Sequence, residues 1–394
     1  MKKKLFNLYC FYPLLSLFFL SCISSEKKAN TLTPAQFYIP LKEKDTQAIK
    51  KFDVFFNNTS IIYLNTLDSS LIASVSKVLV YEGKFFILDK KFSSLTCFDK
   101  KGNPLITYGK LGLGEKEFKK IDDFDIDSTK NQVIIFSNED LSLYYYSLDK
   151  GIFIKKKYIG LYANSIIALP SNEVMLYVGY RLNRKMFEYN LLIIDSNANV
   201  INRFLPFNSK LSSFGWSFTG FLTKSNNQIF FTDAFNDSIF SYQEQNFSMF
   251  SYIYINSESI EKNKLDHNKL LNSKIILDSA TSFLKSQFFR NDNYIIFNYQ
   301  LEKRTKVAFY KIKDKSINVL TAKNADDPLL ILARNLMYLD NNNNLVFAIS
   351  PNDVCTLKEK EPGIFEKLPT YFKNKFNNTN AQSNFYLLIT HIKT

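Results

Sequence analysis

The stretch Glu82-Gly83-Lys84-Phe85-Phe86-Ile87-Leu88-Asp89 decides the fold, because it joins a tight polar turn to a short apolar strand and then recurs. Turn residues followed by a few aromatic or β-branched residues are typical of one strand of a hairpin. Five further strands follow similar turns of Asn, Asp, Gln, Glu, Lys or Ser: Val133–Phe136, Val174–Tyr177, Ile229–Asp233, Tyr294–Phe297 and Leu345–Ala348. The six units start about 40 to 65 residues apart, a spacing that indicates a repeat architecture.

A second strand follows in most units, after another short turn. Its clearest examples are Ser94–Phe98, Leu143–Tyr146, Ser238–Tyr242 and Val307–Tyr310. A repeated unit of short antiparallel strands predicts one blade of a β-propeller, so the chain is predicted to be all-β and six-bladed. An irregular β-sandwich whose strand spacing arises by chance is the alternative.

The ring of blades must close, and propellers commonly complete one blade with strands from both ends of the chain. The apolar segment Ile61–Leu64 lies near the start of the predicted domain, and Phe385–Ile389 lies near its end. We therefore predict that these two segments pair. Helical periodicity is scarce, and the one stretch with near-helical apolar spacing is Ser257–Phe289.

The N-terminus indicates export. Three lysines (Lys2 to Lys4) precede the apolar run Leu5–Leu20, which is short for a membrane span of about 20 residues. Ser21-Cys22 then resembles a bacterial lipobox, which predicts a signal peptide over residues 1–21 and acylation of Cys22. An uncleaved signal anchor is the alternative.

Three regions follow from these boundaries. Residues 1–21 are the signal peptide, residues 22–50 are the acylated cysteine and a polar tether, and residues 51–394 are the propeller. The chain is long enough to bury a large core in one such domain.

The formal charge of +13 falls to +10 after the three leader lysines are removed. The lysines are scattered, and the longest mature run is Lys155 to Lys157, so we predict no nucleic-acid partner. Two mature cysteines remain besides Cys22. Cys97 and Cys355 are each predicted to be a buried free thiol in corresponding strands of different blades.

Several segments, taken in order, resemble the bacterial six-bladed β-propeller lipoproteins, which are similar in shape to NHL-repeat propellers. The shared landmarks are Ile61–Leu64 with Ser70–Ala73, Tyr108–Glu115 after Phe98–Gly102, Asn236–Phe240, and Asn384–Ile389. The chain departs from the family pattern at Gly114–Phe118, where a proline and a second glycine are expected before the acid. This resemblance implies a fold and a location, and it implies no settled activity.

Three carboxylates alternate in the segment Asp123-Phe124-Asp125-Ile126-Asp127. On a strand all three would share one face, and on the innermost strand of a blade that face meets the central channel. Oxygen ligands suit Ca²⁺, so Asp123, Asp125 and Asp127 are candidate calcium ligands, although no cofactor is required. A charged strand end open to solvent is the alternative that we favour.

Aromatic residues suggest a second candidate site. Phe214, Trp216 and Phe218 could stack on a glycan or bind a protein if exposed, whereas packing between blades is the plainer interpretation. The glycine-rich segment Gly109–Gly114 resembles a phosphate-binding loop but lacks the helix that should follow, so it is predicted to connect two blades.

The chain contains only two histidines, His267 and His391, so few residues are available for catalysis or metal binding by histidine. Both are predicted to be surface residues, which disfavours a catalytic triad or a zinc lyase.

Two functions remain open. The first is a monomeric binding or scaffold module for a protein or glycan, anchored to the outer membrane with the periplasmic leaflet slightly favoured. The second is a calcium-dependent, lactonase-like hydrolase that uses the central channel, as the resemblance to lactonase propellers implies. The propeller fold by itself does not separate the two functions. Of the two, we favour the binding module over the enzyme.

Overall fold

Six small antiparallel sheets form a ring in the computed structural model. It describes residues 37–41, 43–65, 71–181, 188–207, 221–225, 228–232, 238–243, 246–255, 283–301, 304–321 and 326–393. Each sheet is one blade, and in every blade the strand directly before the repeated strand lies innermost. The prediction of a six-bladed, all-β propeller is confirmed.

The blades follow one another along the chain. Blade 1 consists of β4 (Lys77–Tyr81), β5 (Lys84–Asp89), β6 (Ser94–Phe98) and β7 (Pro104–Thr107). Blade 2 consists of β8 (Asp123–Asp127), β9 (Gln132–Ser137), β10 (Ser142–Ser147) and β11 (Phe153–Tyr158). Blade 3 consists of β12 (Ser165–Ala168), β13 (Val174–Tyr177), β14 (Tyr189–Ile194) and β15 (Val200–Pro206).

The second half of the ring has the same plan. Blade 4 consists of β16 (Phe221–Ser225), β17 (Gln228–Thr232), β18 (Ser238–Gln243) and β19 (Asn246–Ile255). Blade 5 consists of β20 (Phe283–Arg290), β21 (Tyr294–Leu301), β22 (Arg304–Lys311) and β23 (Ile317–Leu320). Blade 6 consists of β24 (Asn335–Leu339), β25 (Asn344–Ile349), β26 (Tyr386–Ile392) and β3 (Phe56–Tyr63).

The repeated strand identified in the sequence is the second strand of every blade, and the strand that follows it is the third. Its residues alternate between the two neighbouring blades. Tyr294 and Ile296 pack with blade 6, whereas Ile295 and Phe297 pack with blade 4. Both faces of each blade are therefore buried, which explains why these strands read as nearly continuous apolar runs.

The apolar core is divided among the junctions between blades. In the described part of the chain, one buried cluster fills each junction, from blades 1 and 2 round to blades 6 and 1. Stability therefore depends on every blade covering its neighbours, and the ring has to close for the first and last blades to be covered.

Blade 6 closes the ring as predicted. β26 pairs with β25 on one side and with the N-terminal strand β3 on the other, and Leu388 lies between Phe347 and Ile61. This pairing joins residues that are more than 300 positions apart in the sequence.

Part of the segment predicted to be a tether lies on the propeller. β1 (Phe37–Leu41) adds a fifth strand, parallel to β19 of blade 4, and β2 (Gln47–Ala48) adds one parallel to β23 of blade 5. Ile39 and Leu41 are buried in the junction of blades 4 and 5. The N-terminal segment thus covers the outer edges of two blades, which would otherwise present unpaired backbone groups.

Helices that the periodicity of the sequence did not predict interrupt blade 6 between its second and third strands. They span Pro351–Lys360, Pro362–Phe365 and Thr370–Phe376. Two further short helices, Phe52–Phe55 and Pro328–Leu332, pack at the junction of blades 5 and 6.

The first of the three helices corrects the prediction for Cys355, which lies in this helix and not in a strand. The signal was present in the sequence. Ser350 caps the helix by accepting a hydrogen bond from the Asp353 amide (3.1 Å), and Pro351 occupies the first turn. Both cysteines are free thiols, and Cys97 is buried as predicted, whereas Cys355 is half-buried. Burial raises the pKa of Cys97 to about 11.

Gly102 permits blade 1 to pack against the closing strand. Its φ is +85°, and a Cβ there would lie 2.0 Å from the carbonyl oxygen of Tyr63. We expect Gly102→Ala to destabilise the protein by about 3 kcal/mol, because the left-handed conformation and a backbone clash both oppose the added methyl group. Chemical denaturation of the purified protein measures this difference.

Gly83 provides a matched control for that substitution. Its φ is +70°, but a Cβ would meet nothing within 4 Å. Gly83→Ala is therefore expected to cost only about 1 kcal/mol. Equal losses in the two variants would contradict the close packing inferred at the seam.

Candidate functional site

The innermost strands surround a central channel, and the alternating aspartates lie on one of them. β8 is the first and innermost strand of blade 2, which is the position that the calcium-site interpretation of Asp123, Asp125 and Asp127 required. All three are buried, with exposed fractions of 3%, 4% and 6%. The alternative of a solvent-open strand end is therefore wrong, and the reason lies in the partners supplied by other blades.

Asp123 connects three blades. One carboxylate oxygen accepts a hydrogen bond from Lys77 Nζ of blade 1 (2.9 Å), and the other accepts one from the Ile166 amide of blade 3 (2.8 Å). Lys77 also donates to the Phe124 carbonyl (2.7 Å). Both oxygens of this buried carboxylate therefore have hydrogen-bond donors supplied by other blades.

Asp125 repeats the arrangement one blade further on. Its Oδ2 accepts hydrogen bonds from the Ala168 amide of blade 3 (2.7 Å) and from Lys224 Nζ of blade 4 (2.6 Å). The two carboxylates therefore bind amides on the exposed edge of β12. These amides would otherwise lack a partner, since β12 is an edge strand of its sheet.

Asp127 stabilises the turn after β8. Its Oδ1 accepts hydrogen bonds from the amide and hydroxyl groups of Thr129 and from the Lys130 amide. The three carboxylates therefore accept hydrogen bonds from lysine ammonium groups, backbone amides and one hydroxyl group. Among the residues that the structure describes, no three His, Cys, Asp or Glu side chains are close enough together to hold a metal ion.

A pocket of about 500 Å³ lies at the end of the channel where the first strands turn into the second strands. We call it the channel-mouth pocket. Blades 2 to 6 all contribute to its lining, and the polar side chains among its residues are Asp127, Ser128, Thr129, Lys224, Ser225, Gln228, Arg290, Tyr338, Asp340, Asn341 and Asn342. A volume of this size is typical of small-molecule sites.

The two carboxylates that line the pocket accept hydrogen bonds from backbone amides of their own turns. Asp127 holds the turn after β8, as described above. Asp340 accepts hydrogen bonds from the amides of Asn342 (2.8 Å) and Asn344 (2.7 Å) and from the Asn344 side chain (2.8 Å). The turns are consequently fixed, and they present the side chains of Asn341 and Asn342, both exposed, towards the pocket.

Two cations lie in the wall. Lys224, with its side chain 41% exposed, pairs with Asp125 and so separates the pocket from the buried network. Arg290 donates to Gln228 Oε1 (3.2 Å), and its guanidinium carbon is 4.8 Å from the centre of the Phe230 ring. Burial lowers the pKa of Arg290, while the nearby Asp292 acts in the opposite direction.

In the sequence, the turns that line this pocket indicate only where one strand ends and the next begins. Gln228 and the Asn341–Asn344 run mark the start of repeated strands, and the polar side chains after the first strand of each blade converge in the ring. The recurrence of amide residues at this one position was the available signal.

The other candidates have different outcomes. Four candidate residues lie outside the described residues, namely Phe214, Trp216, Phe218 and His267, and so do Cys22 and most of the Ser257–Phe289 stretch. The described end of that stretch, Phe283 to Phe289, belongs to strand β20, so its near-helical spacing is misleading there. His391 lies half-buried on β26, with Nδ1 3.3 Å from Asn344 Oδ1. Residues Gly109–Gly114 connect blade 1 to blade 2, as predicted, and Glu117 holds this loop by pairing with Lys110 (2.8 Å).

The family model described as domain of unknown function DUF4934 matches residues 37–391. The chain belongs to this family. The match begins at β1 and ends in β26, so the DUF4934 region contains the whole ring together with the N-terminal strands on blades 4 and 5.

Two solved structures resemble this DUF4934 chain. The first is a protein of Bacteroides fragilis NCTC 9343 assigned as exported, with a TM-score of 0.74 and 16% identity over 91% of this chain and 100% of that one. The second is a DUF4221 family member from Bacteroides vulgatus, with a TM-score of 0.56 and 9% identity over 86% and 97% of the two chains. At these identities the likeness supports the fold alone. None of the curated proteins compared with the sequence matches it significantly.

The helices of the described region are short. None combines the length and the apolar character that crossing a membrane requires.

Proposed function

We propose that this DUF4934 protein is a lipid-anchored binding module of the cell envelope that holds a glycan in its channel-mouth pocket. In this proposal residues 1–21 are removed, Cys22 is acylated, and the protein is a monomeric lipoprotein, similar to NHL-like propellers, on the periplasmic leaflet of the outer membrane. The lysine-rich leader and the Ser21-Cys22 pair support the anchor. The similar Bacteroides fragilis protein, itself assigned as exported, agrees with this location.

The tether in this proposal is shorter than residues 22–50, because β1 begins at Phe37. The 15 peptide steps from Cys22 to Phe37 span at most about 54 Å. An anchored propeller would therefore stay close to the membrane, attached by the outer edge of blade 4.

The observation that carries the binding function is the composition of the pocket wall. Amide and hydroxyl side chains from several blades face one cavity of about 500 Å³. Such groups donate and accept hydrogen bonds with sugar hydroxyls, and the Tyr338 ring provides a flat apolar surface beside them. The aspartates and lysines beneath the pocket are paired with each other, which favours binding over hydrolysis at this place.

Titration of the mature protein with neutral di- and trisaccharides of glucose, galactose, mannose and N-acetylglucosamine tests the proposal. We expect at least one of them to bind, and we expect Gln228→Ala or Asn342→Ala to weaken binding about tenfold through the loss of a hydrogen bond. Isothermal titration calorimetry measures both effects.

Asn197→Ala is the matched control, since Asn197 is an exposed turn residue of blade 3 outside the pocket. It should bind saccharides as the unmodified protein does. Absence of saccharide binding, or equal weakening by all three substitutions, would refute a glycan site at the channel mouth.

A further inference from the structure

A second cavity lies where the ring closes. It has a volume of about 680 Å³ and shares no lining residue with the channel-mouth pocket. Its walls come from the closing strands β3 and β26, from the turn between β6 and β7 of blade 1, and from the helical insertion of blade 6. We call it the seam pocket.

The seam pocket is basic. Its lining contains Lys100, Lys101 and Lys375, and it contains no carboxylate. Within the described part of the chain, none of these three ammonium groups forms a salt bridge, whereas Lys77, Lys224 and Lys373 do. Three like charges that line one cavity create a positive potential that attracts anions, and the Asp99 carboxylate near Lys101 offsets part of it.

The turn that carries two of these lysines is held rigidly. Asp99 accepts hydrogen bonds from the Lys101 amide (2.8 Å) and from the amide and side chain of Asn103 (2.8 and 2.9 Å). These hydrogen bonds direct the carboxylate of Asp99 into the turn, and they lower its pKa. The Gly102 carbonyl accepts a further bond from the Asn65 amide (2.8 Å), which fixes the turn to the closing strand.

The remaining lining groups suit a polar organic ligand. Asn65, Asn374 and Asn378 offer amide groups, and the rings of Tyr63 and Tyr386 lie 5.0 Å apart, centre to centre, in the wall. A cavity of this size accommodates a small molecule. Lysine ammonium groups act as point charges that pair well with the doubly charged phosphoryl group.

We infer that the seam pocket binds a sugar phosphate, with the phosphoryl group held by Lys100, Lys101 and Lys375 and the sugar against the asparagine and tyrosine side chains. The ligand would touch the first blade, the N-terminal strand and the C-terminal strand together. Its binding would therefore stabilise the closed ring.

Calorimetric titration of the full-length protein in detergent with glucose 1-phosphate, at low ionic strength, tests this inference. We expect saturable binding that weakens as salt is added, and we expect no binding of glucose at this site. The triple variant Lys100→Gln/Lys101→Gln/Lys375→Gln should bind glucose 1-phosphate at least tenfold more weakly. The unmodified protein should also show a higher melting temperature with glucose 1-phosphate, and the triple variant should not.

The control is Lys155→Gln/Lys156→Gln/Lys157→Gln, which removes the same total charge from the outer strand of blade 2. This control should bind as tightly as the unmodified protein. If the seam triple does not fold, Lys375→Gln alone should weaken binding at least threefold, and Lys375→Arg should restore it.

Three results would overturn the inference: no binding of glucose 1-phosphate to the unmodified protein, unchanged binding in the seam variant, or equal weakening in the two triples. None of them bears on the channel mouth, because neutral saccharides should bind the seam triple as they bind the unmodified protein.

Discussion

Leu388→Asp should prevent the protein from folding. Leu388 is fully buried on β26, between the N-terminal strand and the second strand of blade 6. An unpaired carboxylate there would cost several kcal/mol for its desolvation, in addition to the lost apolar contacts. That penalty is comparable to the whole stability of a typical domain, about 5 to 15 kcal/mol. Circular dichroism and the yield of soluble protein measure the outcome.

The same substitution at Leu113 is the control. Leu113 lies in the loop between blades 1 and 2 and is 86% exposed. Leu113→Asp should change the free energy of unfolding by less than about 0.5 kcal/mol. A folded Leu388→Asp protein with normal stability would show that the two chain ends do not close the ring in the way that the strand pairing indicates.

Asp125→Ala should cost about 3 kcal/mol of stability. The carboxylate is 95% buried and holds an amide of blade 3 and a lysine of blade 4, so its removal leaves both groups without their acceptor. Breaking a buried pair costs about 3 to 5 kcal/mol, and the partial exposure of Lys224 places this case at the lower end. Urea denaturation with matched slopes measures the difference.

Asp125→Asn separates the two interactions, because the asparagine can still accept a hydrogen bond from the Ala168 amide but has no charge for Lys224. The free energy of unfolding of Asp125→Asn should lie between that of the unmodified protein and that of Asp125→Ala. Asp195→Ala is the control: Asp195 is half-buried, and its hydrogen bonds in the described structure all lie within its own turn. The loss of stability in Asp195→Ala should be less than a third of the loss in Asp125→Ala. Equal losses would contradict a role for Asp125 in joining blades.

These two predictions depend on different kinds of information. Leu388 and its partner strand were visible in the sequence, because an apolar segment near each end remained after six repeats were assigned. The partners of Asp125 were not visible, since Ala168 and Lys224 lie 43 and 99 positions away and belong to two other blades. Periodicity shows which face a side chain occupies, and it does not show what lies opposite.

The helical insertion after β25 and the strands β1 and β2 show a similar limit. The cap at Ser350 and the proline after it were local signals that the dominant β pattern concealed. β1 has no such signal, because its register with β19 joins Phe37 to Ser251 and depends on an outer edge created only by the assembled blade.

The sequence by itself determined the number of blades, the strand that repeats in each, and the pair of strands that closes the ring, because turn residues and strand periodicity are local properties that are written in order along the chain. The tertiary structure alone decided that buried aspartates join blades through lysines and amide groups. It also decided that amide-bearing turns meet at the channel mouth and that three lysines from distant segments surround the seam pocket. These features required closure of the ring, which brings together residues whose separation in the sequence carries no information about their distance in space.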